Sequence, residues 1–205
     1  MASVPLRETA FDPLVSGAVV VRRLVEASAR PGRPVRLEIA PLSVQPRRVQ
    51  PACAALLAVL DRDARLAVMG PDAAGVREYL RFNSGARSAP PADADFVLVT
   101  GPGVPAVVGD AGMPRRAPHR RTIVWVAEAF QEVAGQPTAL IVVSATEGMR
   151  EHLVVSGVDA GELAVVRAEN QAQAILDVWF ASAEGEIVVL PAATAWFPLP
   201  ARVPR

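Results

Sequence analysis

The sequence predicts an α/β layered fold with a mixed sheet and helices on both of its faces. In the first half of the chain, helical patterns alternate with short apolar strands, which is typical of strands connected by helices. In the second half, strand-like segments are separated by short turns and predict hairpins. With 205 residues, 51% of them hydrophobic, we expect one α/β domain over residues 1–205 with one sizeable core.

The first helix is expected to open at Asp12-Pro13, with Asp12 as its N-cap and Pro13 at its first helical position. It should run to about Ala29, because Pro31-Gly32 is a strong stop signal. Residues 35–39 then alternate like a strand.

The second helix begins at Pro51, and its apolar residues recur at i, i+3, i+4 and i+7, which predicts one buried face. These residues are Cys53, Leu56, Leu57 and Leu60. Residues 65–69 predict a short strand, and Asp72 is expected to cap a third helix that reaches about Phe82. The apolar run 96–100 is typical of a strand buried on both faces.

The second half is predicted to contain strands at 122–126, 138–144, 150–155, 175–181 and 187–190. Two of these pairs should form hairpins around the turns 147–148 and 183–186. Asp159, with Glu162 three residues later, predicts a capped helix to about Ala174. The tail, residues 191–205, holds four prolines and is expected to be extended or irregular.

Composition excludes several classes of protein. Basic and acidic residues balance at 21 each, so nothing indicates binding to nucleic acid. All the basic residues are arginine, which excludes a lysine Schiff base with pyridoxal phosphate and the lysine of a phosphate-binding P-loop. No apolar run reaches the roughly 18 residues of a membrane span, and Met1–Ala10 lacks the apolar region of a signal peptide. We therefore expect a cytoplasmic protein without membrane contact.

Few residues could hold a metal or a cofactor, and we expect neither. The two histidines, His119 and His152, do not belong to a ligand-spaced cluster. The pairs Asp61-x-Asp63 and Asp93-x-Asp95 could bind Mg²⁺, but such pairs more often stabilise turns where strands begin. Gly101-Pro102-Gly103 follows a predicted strand but lacks the third glycine of a dinucleotide-binding loop. No catalytic residue can be assigned.

Two groups of residues remain candidates for contact with a ligand or a partner. At the end of the third helix, Arg81 precedes Phe82 and Asn83, and it could either complement the helix dipole or bind a ligand or subunit. The long loop 101–121 carries four arginines, which are Arg115, Arg116, Arg120 and Arg121. Guanidinium groups bind phosphates and carboxylates in a bidentate manner, although a solvated loop is the simpler interpretation.

Five short blocks, taken in order, carry a resemblance to one family. They read RxLVxASARPG at 22–32, LLAVLD at 56–61, LRFNSGA at 80–86, ADADF at 92–96, and GMR leading into LVVSG within 148–157. Together they resemble the PhnH family of the bacterial carbon–phosphorus lyase system, over about residues 11–194. Family members usually have His-Thr where this chain has Asn83-Ser84, so the chain resembles a divergent member.

The resemblance implies a three-layer α/β/α sandwich related to pyridoxal-phosphate-dependent transferases, but without their cofactor. It also implies a homodimer that assembles with sister subunits and could meet an anionic nucleotide or phosphonate. The complex transfers a phosphonate onto the ribose of ATP with loss of adenine, and PhnH proteins have no established catalytic residues of their own. We therefore expect a non-catalytic accessory subunit. The alternative is a stand-alone α/β enzyme or a binder of a small phosphorylated ligand.

The late segment gives an independent reason to expect a homodimer. Its predicted strands are apolar, and four aromatic residues lie in or near them: Trp179, Phe180, Trp196 and Phe197. Exposed aromatic clusters and strand edges are often covered by another chain. The alternative is that the proline-rich tail folds back and covers its own sheet.

Overall fold

A computed structural model describes residues 11–101, 120–144, 150–173 and 175–200. The predicted turn at 147–148 and most of the long loop lie outside these residues, as do Arg115, Arg116 and His119. The expectations for them remain untested.

The described residues form four α-helices and ten strands. The helices are α1 (Ser16–Ala29), α2 (Gln50–Leu57), α3 (Ala73–Ser84) and α4 (Ala160–Gln173). The strands are β1 (Val35–Arg36), β2 (Arg65–Met69), β3 (Arg87–Ser88), β4 (Phe96–Val99), β5 (Arg121–Ala127), β6 (Thr138–Ser144), β7 (Arg150–Ser156), β8 (Leu176–Ser182), β9 (Glu186–Leu190) and β10 (Ala195–Pro200). Short 3-10 turns precede α2 and β4.

Seven strands form the central sheet, in the order β1-β9-β8-β5-β4-β2-β3. Strands β2, β3, β4, β5 and β8 are parallel, whereas β9 is antiparallel to β8 and to β1. The predicted mixed sheet is therefore confirmed, as is the hairpin of β8 and β9. The edge strands of the central sheet, β1 and β3, contain only two residues each, so this sheet offers little free edge for another chain.

Each central strand is buried on both faces, as the apolar run 96–100 predicted. In β5, Val124 and Val126 belong to the core beneath α1, α2 and α3, while Ile123 and Trp125 belong to a second core on the opposite face. The same alternation runs through the neighbouring strands, because successive side chains of a strand point to opposite faces.

Helix α2 is buried on every side. All eight residues from Gln50 to Leu57 are buried, which corrects the expectation of a single buried face. The helix lies between α1, α3 and the sheet, so it has no side left for solvent. Cys53 is fully buried and burial raises the pKa of its thiol, which confirms it as a packed interior residue.

The second face of the central sheet is covered by α4 together with a small three-stranded sheet, β10-β6-β7. The α/β sandwich is thus confirmed, and one of its outer layers contains strands as well as a helix. The predicted pairing of β6 with β7 is present, with Ser144 opposite Arg150.

The proline-containing tail is extended rather than irregular, because Ala195–Pro200 forms strand β10 along β6. Pro198 and Pro200 are tolerated since β10 lies at the edge of its sheet, where a missing N–H breaks no ladder. Trp196 is fully buried in the second core, and Trp179 and Phe180 are also buried. The tail therefore covers its own sheet, and of the four aromatic residues only Phe197 is exposed.

Two boundaries near the N-terminus differ from the sequence prediction. Helix α1 begins at Ser16, since Asp12 Oδ1 accepts the N–H groups of Leu14 at 2.7 Å and Val15 at 3.4 Å and so forms a turn before the helix. Strand β1 covers only residues 35–36 of the predicted 35–39, because its antiparallel partner β9 begins at Glu186, opposite Arg36. Beyond this point, the Leu37 N–H donates to the carbonyl of Gly185 in the hairpin turn.

We expect Trp196→Ala to lower the free energy of unfolding by roughly 3–5 kcal/mol, because it leaves a cavity in the second core. Phe197→Ala on the same strand is the control, and it should cost about 1 kcal/mol or less because Phe197 is half exposed and mainly contacts Arg167. Urea unfolding followed by fluorescence measures both. Equal losses would contradict the placement of the tail.

Candidate functional site

The carboxyl ends of the parallel strands are the first place to look for a site. In open α/β sheets, ligands bind where the strand order reverses. Here the chain runs from β2 to β3 on one side of it, and then crosses back to β4 on the other side. The strand order therefore reverses between β2 and β4.

Arg48 is the central side chain of this edge. It comes from the 3-10 turn before α2 and donates to the carbonyl of Thr100 at 2.8 Å, just beyond β4. Its Nη2 lies 2.6 Å from Asp72 Oδ2, after β2, and its Nη1 lies 3.8 Å from Glu128 Oε1, after β5. One guanidinium thus connects the ends of three neighbouring strands.

Asp72 occupies the N-cap position of α3, as the sequence predicted, but its carboxylate does not cap the helix. No side-chain capping bond is present, because the carboxylate turns instead to Arg48. The residue predicted as a local cap therefore makes a long-range ion pair.

Gly70 allows β2 and β4 to end in close contact. Its φ is +104°, and a Cβ there would lie 2.6 Å from Oγ1 of Thr100. That hydroxyl donates to the carbonyl of Met69 at 3.0 Å and so ties the two strand ends together. Only glycine accepts this backbone angle and this distance without strain.

The described groups at this edge do not suit an anion. Two carboxylates, Asp72 and Glu128, face the single guanidinium of Arg48, so the described groups carry a net negative charge. A phosphate would meet both carboxylates. Within the described ranges, no group of three or more His, Cys, Asp or Glu side chains is placed to hold a metal ion. We interpret the contacts of Arg48 with Asp72, Thr100 and Glu128 as structural, because they hold the three strand ends together.

The opposite side of the sheet, where the parallel strands begin and which we call the amino edge, carries the candidate residues Arg81, Phe82 and Asn83. Helix α3 ends there, with Gly85 at φ +80° as its C-cap and its N–H bonded to the carbonyl of Arg81 at 2.9 Å. Arg81 is exposed, and Phe82 is 53% exposed. The side-chain amide of Asn83 donates to the carbonyl of Tyr79 at 3.0 Å, so one of its N–H groups satisfies a backbone acceptor in the last turn of α3.

A shallow pocket of about 350 Å³ opens beside this helix end. It is lined by Arg62, Phe82, Asn83, Ser84 and Gly85. The sequence had not indicated Arg62, since the residue comes from the turn after α2 and only the fold brings it to the end of α3. An exposed ring, a guanidinium and an amide together suit a planar polar group.

The two described arginines of the long loop also lie at the amino edge, where β5 begins. Arg121 is buried, and its guanidinium donates to the carbonyls of Ala94, at 3.1 Å, and Pro91. Arg120 is exposed and pairs with Asp177 at 3.2 Å. Both therefore have contacts within the chain, and those of Arg121 hold the turn before β4.

The paired aspartates serve turns and strand entrances, in line with the simpler interpretation. Asp61 Oδ1 accepts the N–H groups of Asp63 at 2.9 Å and Ala64 at 2.8 Å. Asp95 binds the guanidinium of Arg65 through two bonds of 2.6 and 3.1 Å and also accepts its backbone N–H. These hydrogen bonds raise the pKa of Arg65 above its ordinary value.

Residues 10–140 match the family model described as bacterial phosphonate metabolism protein (PhnH), well over half of the chain. The chain belongs to the PhnH family. No curated protein matches it significantly. The PhnH match covers the elements from α1 to the start of β6, including both edges described above.

Four of the five blocks that carry the resemblance lie within the matched residues 10–140, whereas the block within 148–157 lies beyond them. LRFNSGA forms the end of α3 and its glycine cap, and ADADF forms the turn and strand that hold Arg65 and Arg121. No helix within the described residues is long and apolar enough to cross a membrane.

We expect Gly70→Ala to destabilise the protein by roughly 1–3 kcal/mol, because alanine would be strained at this φ and would crowd Thr100. Gly75→Ala is the matched control. It lies inside α3 with nothing within 4 Å of its added Cβ and should stabilise by about 0.5–1 kcal/mol. Chemical denaturation measures both, and a neutral Gly70→Ala would contradict the close approach of the strands.

We expect Arg81→Ala to cost on the order of 1 kcal/mol of stability if Arg81 only complements the dipole of α3. If Arg81 contacts a ligand phosphate, the thermal midpoint stays within about 1 °C while ligand binding is lost. A thermal melt compared with an ATP titration distinguishes these outcomes. Arg77→Ala, another exposed arginine of α3, is the control and should change neither.

Proposed function

We propose that this PhnH protein is a non-catalytic, accessory subunit of the carbon–phosphorus lyase core complex in organic phosphonate catabolism. The complex would make ribose 1-methylphosphonate 5-triphosphate from ATP and a phosphonate, while this chain supports assembly. The observation that carries the proposal is the PhnH match over residues 10–140. We also propose that the chain acts as one domain and as a homodimer beside its sister subunits.

The use of polar side chains supports an accessory role. The main buried or half-buried ionic groups serve the fold: Arg48 fastens strand ends, Arg65 pairs with Asp95, and Arg121 holds backbone carbonyls. The thiol of Cys53 is buried with a raised pKa, so it is a poor nucleophile. The one described histidine, His152, lies on an exposed strand face without a described acid or base partner.

A second function, binding of a small phosphorylated ligand by the chain alone, has one observation in its favour. The pocket at the end of α3 combines Arg62 with an exposed ring and an amide, and Arg81 lies nearby in sequence. A nucleotide could stack its base on Phe82 and direct a phosphate towards an arginine. This alternative needs no sister subunit.

We expect the isolated chain to release no adenine from ATP and methylphosphonate, because the described residues supply no activated nucleophile or paired acid and base. Added to purified sister subunits, it should co-elute with them and restore adenine release, measured by chromatography. A sister-subunit mixture without the chain is the control.

Turnover by the chain alone would contradict the accessory role. Tight ATP binding by the isolated chain, lost in Arg62→Ala and without co-elution, would establish the alternative.

A further inference from the structure

Helix α1 carries an unusual amount of exposed apolar surface. Five of the nine large apolar residues exposed in the described chain lie on α1 or in the turn before it: Leu14, Val15, Val19, Val21 and Val25. Leu14 is 85% exposed and Val25 is 63% exposed. Contiguous exposed apolar surface on a folded protein commonly marks an interaction site.

Three of these residues, together with the exposed Ala18, follow a defined spacing. Leu14, Ala18, Val21 and Val25 follow one another at intervals of four, three and four, and we call them the outer seam. At about 100° per residue, Ala18, Val21 and Val25 lie within a sector of roughly 60° on α1, and Leu14 lies in the turn that precedes the helix. The buried residues Gly17, Val20, Leu24 and Ala27 form a separate inner seam that packs on the core. The outer seam is therefore left exposed in the single chain.

The spacing indicates which kind of structure covers the outer seam. Intervals of four and three residues repeat every seven, which is the pattern that lets two helices pack with knobs into holes. The seam residues on the helix itself, Ala18, Val21 and Val25, are small or β-branched, so a partner helix can approach closely. An amphipathic helix lying along an apolar surface is a common mode of recognition between proteins.

The charges beside the outer seam favour a different protein over a second copy of this chain as the partner. Arg22 directly flanks the seam and has no ion-pair partner among the described residues, whereas Arg23 and Arg30, on the far flank, pair with Glu26. In an antiparallel pair of α1 helices centred on Val21, two Arg22 side chains would meet. A partner helix with an acidic residue opposite Arg22 avoids this repulsion.

We propose that the outer seam docks an amphipathic helix of a different protein, one that presents apolar residues at heptad spacing and an Asp or Glu opposite Arg22. Resting on the proposed function, we assign this helix to a sister subunit of the complex. Because α1 is only about 21 Å long, the seam would be the apolar centre of a larger contact.

The test substitutes one seam residue and one matched residue off the seam. Val25→Glu places a carboxylate in the proposed contact, where its burial is costly. Val19→Glu makes the same change on the other exposed side of α1, near Arg23. Both proteins should fold like the wild type, checked by thermal melting, because both sites are exposed in the single chain.

We expect Val25→Glu to weaken binding to the purified sister subunits at least about tenfold, and Val19→Glu less than about twofold. Arg22→Glu should also weaken binding, while Arg22→Lys keeps most of it. A photo-crosslinker at position 25 should capture a helix of a sister subunit, identified by mass spectrometry. The same crosslinker at position 19 is the control.

If the complex assembles and Val25→Glu binds as well as Val19→Glu, this inference is overturned and the accessory function stands. Crosslinking of position 25 to a second copy, or to residues 1–10 of the same chain, overturns it too. If the wild-type chain does not bind the sister subunits at all, the proposed function fails and the inference fails with it.

Discussion

Burial of the central strands on both faces is the constraint on which the rest of the structure depends. Strands β4, β5 and β8 are apolar at nearly every position, so each face of the sheet must be covered by another layer. Helices α1 to α3 cover one face. The other face is covered by α4 and the small sheet. Strand β10 belongs to that sheet and contributes the buried side chain of Trp196 to the second core. Strand β10 is thus part of the core.

The same constraint determines where the polar groups lie. With both faces closed, charged side chains are left at the two edges of the sheet, and each edge is fastened by arginine. Arg48 connects the carboxyl ends of three strands, while Arg65 and Arg121 hold the amino ends of β2 and β4. Arginine suits these positions because its planar group can reach two or three acceptors at once. The described ionic contacts at both edges are therefore made by arginine, without any lysine.

Local patterns predicted most elements well, and failed where the decisive contacts are long-range. Residues 65–69 and 138–144 were predicted with the bounds that the structure has, because their apolar runs are bounded by clear turns. Tail residues 195–200 were not predicted as a strand, since their prolines disfavour one and only pairing with β6 stabilises it. Asp72 looked like a cap because its partner, Arg48, lies 24 residues away. For the same reason, Arg62 could not be connected with Phe82 from sequence alone.

The distribution of apolar surface separates what the chain needs for folding from what it offers to others. The aromatic residues that first indicated an interface are mostly used internally, so the argument for assembly cannot rest on them. Helix α1 is different, because its inner seam packs on the core while its outer seam is exposed in the single chain. Exposed valine and leucine side chains increase the risk of aggregation unless a partner covers them. In a chain whose described polar residues serve mainly structure, such a surface is where a role in an assembly would reside.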